Sequence, residues 1–263
     1  MIDTHCHLVF PDFVDRVDAV LAEAAAAGVT GAITIATSSA DAEAGMRLAE
    51  DYERVWFSAG VHPLYSDEEP HDWMLLKALA RHEKCVAWGE LGLDNHHAKP
   101  ARAIQDRVLA DQIAFIESCM RDGIDLPIVL HCREAFDDLI PILRSSGIAG
   151  DRCVFHCFTG GEREARLALD FGSMISFTGV VTYRNAREVQ AAAMMVPLER
   201  VMIETDAPYL SPEPKRGVRP CVPAFARLTA DFVARLRGLS SEAFLDVIDE
   251  NTERFFGIPV RGP

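Results

Sequence analysis

Short apolar, β-rich runs alternate along the chain with longer stretches of amphipathic periodicity, the pattern of repeated βα units around a parallel sheet. The runs expected to be strands are 1–5, 31–36, 55–60, 85–89, 126–130, 152–155, 173–177 and 200–203. The stretches between them read as helices, for example 14–27 ending at Gly28, 103–121 ending before Gly123, 162–171, and 224–237 followed by Gly238. Ser240-Ser241-Glu242-Ala243 reads as the capped start of an additional C-terminal helix running through Glu253. Eight such strands are the number a closed parallel barrel requires. The expected fold class is therefore α/β, a (β/α)8 TIM barrel of the hydrolase type. A chain of 263 residues fits one barrel of about 250 residues. With no internal repeat, low-complexity segment or Pro/Gly-rich linker, residues 1–263 are expected to form a single domain.

Composition narrows the function classes. Apolar residues at 49% and charged residues at 25% match a globular protein with a sizeable core, which sets aside disorder as the default. The chain starts Met1-Ile2-Asp3-Thr4-His5, without a basic segment followed by an apolar run, and nowhere reaches about 18 apolar residues free of charge. No membrane association is expected, and the expected location is cytoplasmic. Seven cysteines, at 6, 85, 119, 132, 153, 157 and 221, have no paired CxxC spacing, so a disulfide framework is not expected. Cys6, Cys132 and Cys157 each follow a histidine and would point to the opposite strand face, as small packing residues. A net charge of -14 repels a polyanion at long range, so a phosphate-rich substrate would have to be held locally, by metal ions and a few arginines.

In a barrel of this type the active site is built at the C-terminal ends of the strands. His5-Cys6-His7, His62, Glu90, His131, His156 and Glu204-Thr205-Asp206 all stand there, so five of the nine histidines gather at one sheet edge. His5 and His7 are two residues apart, which on an extended strand sets both imidazoles on one face about 6 to 7 Å apart along the backbone, able to grip one ion. Imidazole with carboxylate suits zinc, while added carboxylate and water also admit magnesium or manganese. Six ligands exceed what one tetrahedral ion takes. The expected centre holds two divalent metal ions (Zn, Mg or Mn), with His5, His7 and Asp206 on one, His131 and His156 on the other, and Glu90 between them.

The motifs Asp3-Thr4-His5-Cys6-His7, Gly60-Val61-His62-Pro63, Gly89-Glu90-Leu91-Gly92-Leu93-Asp94, His131-Cys132-Arg133, His156-Cys157-Phe158-Thr159-Gly160 and Glu204-Thr205-Asp206-Ala207-Pro208-Tyr209-Leu210 resemble the ordered motifs of the TatD family of metal-dependent deoxyribonucleases, from Asp3 to about Gly257. The resemblance implies that the same six residues are the metal ligands, that Asp206 also serves as a catalytic proton acceptor, and that phosphodiester bonds near DNA ends are hydrolysed. The chain departs from the family pattern at Asn95-His96-His97, where an aromatic usually stands, and at Arg219-Pro220-Cys221-Val222-Pro223, which lacks the usual Asn and Glu. Both departures concern the substrate-facing loops and neither touches a proposed ligand.

His62, Arg133 and Arg219 are the candidate substrate-binding residues, with Arg184, Arg187, Lys215 and Arg216 on the same side of the barrel. Asp94 and Glu204 are expected to orient ligands through hydrogen bonds, and His96 and His97 are left out of the metal set. The expected partner is DNA or another phosphodiester, bound as a single-stranded end. The competing reading is a hydrolase of small esters or amides, such as a deacylase acting on aminoacylated transfer RNA, since an activated water attacks carbonyl carbon as well as phosphorus. A carboxylated lysine bridge is disfavoured, because Lys77, Lys84, Lys99 and Lys215 all lie away from strand ends. A degenerate barrel serving as a scaffold is disfavoured by the complete ligand set, while an enzyme that works as a component of a larger assembly stays open.

Overall fold

The computed structural model describes residues 1–260, and the last three positions of the expected 1–263 domain lie outside the described residues. Its strands are β1 (Ile2–Cys6), β2 (Gly31–Thr34), β3 (Val55–Ala59), β4 (Cys85–Asp94), β5 (Ile128–Arg133), β6 (Cys153–Phe155), β7 (Met174–Phe177) and β8 (Val201–Ile203). They lie in one sheet in chain order. The pairs β1–β2, β3–β4, β4–β5, β5–β6 and β7–β8 are parallel. Parallel neighbours need a crossover, and the helices α1 (Val17–Ala26), α2 (Ser39–Asp51), α3 (Trp73–Leu79), α4 (Arg102–Arg121), α5 (Phe136–Ser145), α6 (Glu162–Phe171) and α7 (Arg187–Met195) supply one between each strand and the next. After β8 come α8 (Ala226–Leu236) and α9 (Ser241–Phe256). The ends of β1 and β8 also meet: Cys6 bridges Ala207 in the parallel sense, and the His7 amide donates to the Ala207 carbonyl at 2.7 Å. This is the (β/α)8 barrel that the hydrophobic pattern predicts.

The chain packs as two compact units, one comprising Met1–Thr34, Cys157–Arg166 and the chain from Met174 on, the other Ile35–His156 and Leu167–Ser173. In the first, Phe13, Phe158, Phe177 and Phe244 are fully buried; in the second, Phe57, Trp88 and Phe155 are. Ser240 caps α9 by accepting from the Ala243 amide at 3.1 Å, as its sequence suggests. Among the described residues no helix is long and apolar enough to cross a membrane.

Strand β2 ends at Thr34, two residues short of expectation, and two strands run three or more residues past it. Strand β4 runs to Asp94 and β5 to Arg133, where the sequence places their ends at 89 and 130. Glu90 and His131 therefore stand within strands rather than at their ends. The polar residues look like terminators, yet the ladder continues because Leu91 and Leu93 are fully buried and pair with Leu130 and Cys132. Between the pairs Trp88↔Ile128 and Leu91↔Leu130 the register slips by one residue, an extra residue on β4 that re-aims Glu90. Glycine makes the close approach possible here. A Cβ on Gly89 would stand 2.6 Å from the Val129 carbonyl oxygen, and one on Gly92 would stand 1.9 Å from that of His131.

Candidate metal centre

In the first unit, the two-residue strand period sets Asp3 and His5 on one face of β1, with His7 just beyond its end. Asp3 is completely buried. Its Oδ2 accepts from the Thr205 hydroxyl at 2.5 Å, and its Oδ1 accepts from the Thr205 amide at 2.9 Å and the His5 amide at 3.3 Å. Burial pushes the Asp3 carboxyl up to about 8 against these hydrogen bonds. The chain after β8 is pinned further by the Asp206 amide, which donates to the His5 carbonyl at 2.9 Å. Asp206 is held there in the left-handed region, at φ 61°. Its Oδ1 lies 3.3 Å from His7 Nε2 and 3.6 Å from His5 Nε2, so that one ligand atom from each residue falls within 4.8 Å of the others.

A second cluster forms in the other unit. Glu90 Oε1 lies 2.6 Å from His156 Nε2, 2.7 Å from His131 Nδ1 and 3.2 Å from His62 Nε2. The two rings differ in their outer contacts. His131 meets a carboxylate on both sides, with Nε2 3.1 Å from Asp94 Oδ2 and Nδ1 2.7 Å from Glu90 Oε1. Burial alone would lower the His131 imidazole, but its hydrogen bonds to Asp94 and Glu90 outweigh burial and raise it. His62 has a backbone donor on one side instead. Its Nδ1 accepts from the Leu64 amide at 3.0 Å, so Nε2 carries the proton and points a donor at Glu90. Burial pushes His62 down to about 4, which keeps it neutral.

The donor set fits a divalent cation. The His131 and His156 nitrogens stand 3.4 Å apart, close to the ~3.3 Å edge of a tetrahedron built on Zn–N bonds of about 2.0 to 2.1 Å. Imidazole nitrogens converging on a buried carboxylate are the donor set such an ion recruits. His5, His7 and Asp206 offer a comparable trio. His62 belongs to the same cluster, one ligand atom each of His62, Glu90 and His131 falling within 4.8 Å of the others, and its Nε2–H faces Glu90.

The remaining expected residues are spread around these clusters. Arg133 is half-buried at the end of β5, and Arg219 is exposed in the loop after β8. Glu204 is buried, its Oε1 accepting from the Cys157 amide and its Oε2 from the Ser176 hydroxyl, both at 2.6 Å. It thereby braces the strand ends near Asp206. Cys6 and Cys132 are buried as packing residues, and Cys157 is half-buried. The Asn95-His96-His97 departure has a structural use. The His96 and His97 amides donate to Asp94 Oδ1 at 2.9 and 2.8 Å, and His97 Nδ1 lies 3.0 Å from Asp94 Oδ2. Burial would raise Asp94, but these bonds and the one to His131 hold its carboxyl well below the usual range. Asp94→Asn is therefore expected to leave the protein folded while weakening divalent-metal affinity by about 10- to 100-fold, read by titration calorimetry. Unchanged affinity would remove Asp94 from the support of His131. The buried Asp3 brace was overlooked in the sequence, although its period-2 relation to His5 signals it.

The chain is similar to known proteins along nearly its whole length. The family described as TatD related DNase matches residues 2–257. The chain is 37% identical over 261 residues to the metal-dependent hydrolase YcfH of Escherichia coli strain K12, covering 98% of this chain and 96% of that protein. It is 33% identical to the 3'-5' ssDNA/RNA exonuclease TatD of Klebsiella pneumoniae, over 100% of both chains. Among solved structures, the TatD homologue YjjV from Escherichia coli K12 superposes with a TM-score of 0.89 at 30% identity, over 98% of each chain. Joined to the two histidine and carboxylate clusters on a (β/α)8 sheet, these likenesses show that the chain belongs to the TatD family of metal-dependent hydrolases.

Proposed function

We propose that this hydrolase is an exonuclease that shortens single-stranded DNA from one end, in the cytoplasm, and that the whole chain works as one catalytic domain. The observation that carries the reading is the convergence of imidazole nitrogens from His131 and His156 on the buried Glu90 carboxylate, together with a second trio of His5, His7 and Asp206. Two divalent ions bound by these residues would activate water and offset charge on the attacked phosphate. The protein's own groups do the rest. Asp206 accepts the proton of the attacking water, Asp94 fixes the His131 ring, and the His62 Nε2–H, which faces Glu90, turns to donate to a phosphate oxygen when substrate is bound. Arg133 and Arg219 supply charged donors for the phosphate backbone.

Substrate form follows from charge. At -14 the chain cannot gather long duplex DNA by its overall field. A flexible single-stranded end can bring its terminal phosphodiester down to buried ligands, whereas the interior of a rigid duplex cannot. The name of the Klebsiella relative supports this choice. End-labelled single-stranded oligonucleotides are expected to shorten progressively with magnesium, manganese or zinc, while a covalently closed circular plasmid stays intact over the same time. Efficient linearisation of the circle, or no cleavage of either substrate with any of the three metals, would overturn the reading and turn the search towards ester and amide substrates.

A further inference from the structure

A stack of aromatic rings leads outward from the first cluster. The His7 imidazole lies flat against Phe10, with centroids 4.6 Å apart and planes 15° apart, and Phe10 meets Tyr209 edge-on at 6.5 Å and 76°. Phe10 is half-buried and Tyr209 is 44% exposed. Among the described residues the exposed large apolar side chains are Val14, Met74, Met194, Tyr209 and Val218, so Tyr209 is the one aromatic of the set. It also belongs to the turn that carries Asp206, since its amide donates to the Asp206 carbonyl at 2.9 Å.

The loop after β8 folds back along this turn. The Ser211 hydroxyl donates to the Val218 carbonyl at 2.7 Å and the Cys221 amide to the Pro208 carbonyl at 2.9 Å, so residues 218–221 run beside residues 208–211. Arg219 lies in the folded-back strand of that loop, opposite the Tyr209 turn. Lys215, Arg216 and Arg219 place three cations in five residues; Arg216 lies over the Tyr183 ring and 4.0 Å from Glu213, while Arg219 is exposed. A solvent-facing ring braced by a second ring, beside a cationic segment, is the chemistry that single-stranded nucleic acid requires: a face for the base and charge for the backbone.

We propose that Tyr209, braced by Phe10, is the platform on which a base at the strand end stacks, with Arg219 on the adjoining phosphate. The proposal rests on the exonuclease reading and assigns its base-contacting residues. Because stacking needs a π-face and no particular hydrogen-bonding edge, it tolerates any of the four bases.

Steady-state kinetics would compare an intact single-stranded oligonucleotide with one bearing an abasic residue at the end being shortened, with metal content checked in each variant. Wild-type protein is expected to show KM roughly tenfold higher for the abasic strand. Tyr209→Leu should raise KM on the intact strand about tenfold, leave the abasic strand unaffected and retain its ions, while Tyr209→Phe should keep wild-type KM. An unchanged KM for Tyr209→Leu on the intact strand overturns the platform and leaves the exonuclease reading standing. So does an equal rise on both strands, or a loss in Tyr209→Phe as large as in Tyr209→Leu. Absence of cleavage of every oligonucleotide by metal-loaded wild-type protein overturns platform and reading together.

Discussion

Glu90→Ala is expected to abolish hydrolysis, lowering kcat by at least about 100-fold, and to leave the protein folded. Glu90 is 1% exposed and its carboxylate oxygen faces imidazole nitrogens of His131 and His156, so the change removes a polar group held by polar partners. In the ladder its backbone is held independently, by the Glu90 amide donating to the Ala36 carbonyl at 3.1 Å and by the Leu91 and Leu93 pairs that follow. Circular dichroism should show a native spectrum, with the melting temperature within about 5 °C of wild type. Glu90→Gln, which preserves volume and loses the charge, should be nearly as inactive. Turnover above half of wild type in either variant would remove Glu90 from the metal centre.

The protein prepared without chelator is expected to carry two divalent ions per chain, and dismantling either cluster should reduce the count to one. His5→Ala with His7→Ala removes both imidazoles from one trio; His131→Ala removes the ring that Asp94 orients in the other. Each cluster has its own supporting hydrogen bonds, Thr205 and Asp3 for one and Asp94 for the other, so loss of one ion should not unfold the partner site. Elemental analysis of dialysed samples gives the count directly. Trace metal in wild type, with no uptake on reconstitution, would sink the two-ion reading, and loss of both ions from a single dismantled cluster would show that the clusters are not separate ion sites.

Much of this architecture is written in local patterns. The eight apolar runs fall on the eight strands, and helices such as α4 and α6 follow from their apolar spacing and terminal glycines. The candidate ligands could be proposed from the sequence because six histidine and carboxylate side chains fall at the ends of five expected strands, a joint placement that no one of them would suggest alone. The extent of β4 was not legible. Glu90 and Asp94 are polar and read as an exit from the sheet, yet each is satisfied by imidazoles and amides that come from distant or following residues. The tautomer of His62 was hidden for the same reason, since it depends on a backbone amide supplied by the turn at Leu64. The pairing of Phe10 with Tyr209 joins residues nearly two hundred positions apart, and no periodicity connects them.

The left-handed backbone at Asp206 bears on how this protein can change under mutation. Glu134, Cys157 and Asp206 each take a positive φ just past a strand, at 55°, 43° and 61°. Such a conformation costs a non-glycine residue on the order of 1 kcal/mol or more and is tolerated best by Gly, Asn and Asp. At position 206, drift towards Asn or Gly would preserve or ease the backbone while discarding the charge. A lineage released from the need for hydrolysis could therefore lose the carboxylate at position 206 without losing its fold, whereas a β-branched residue at the same position would be purged for its steric strain alone.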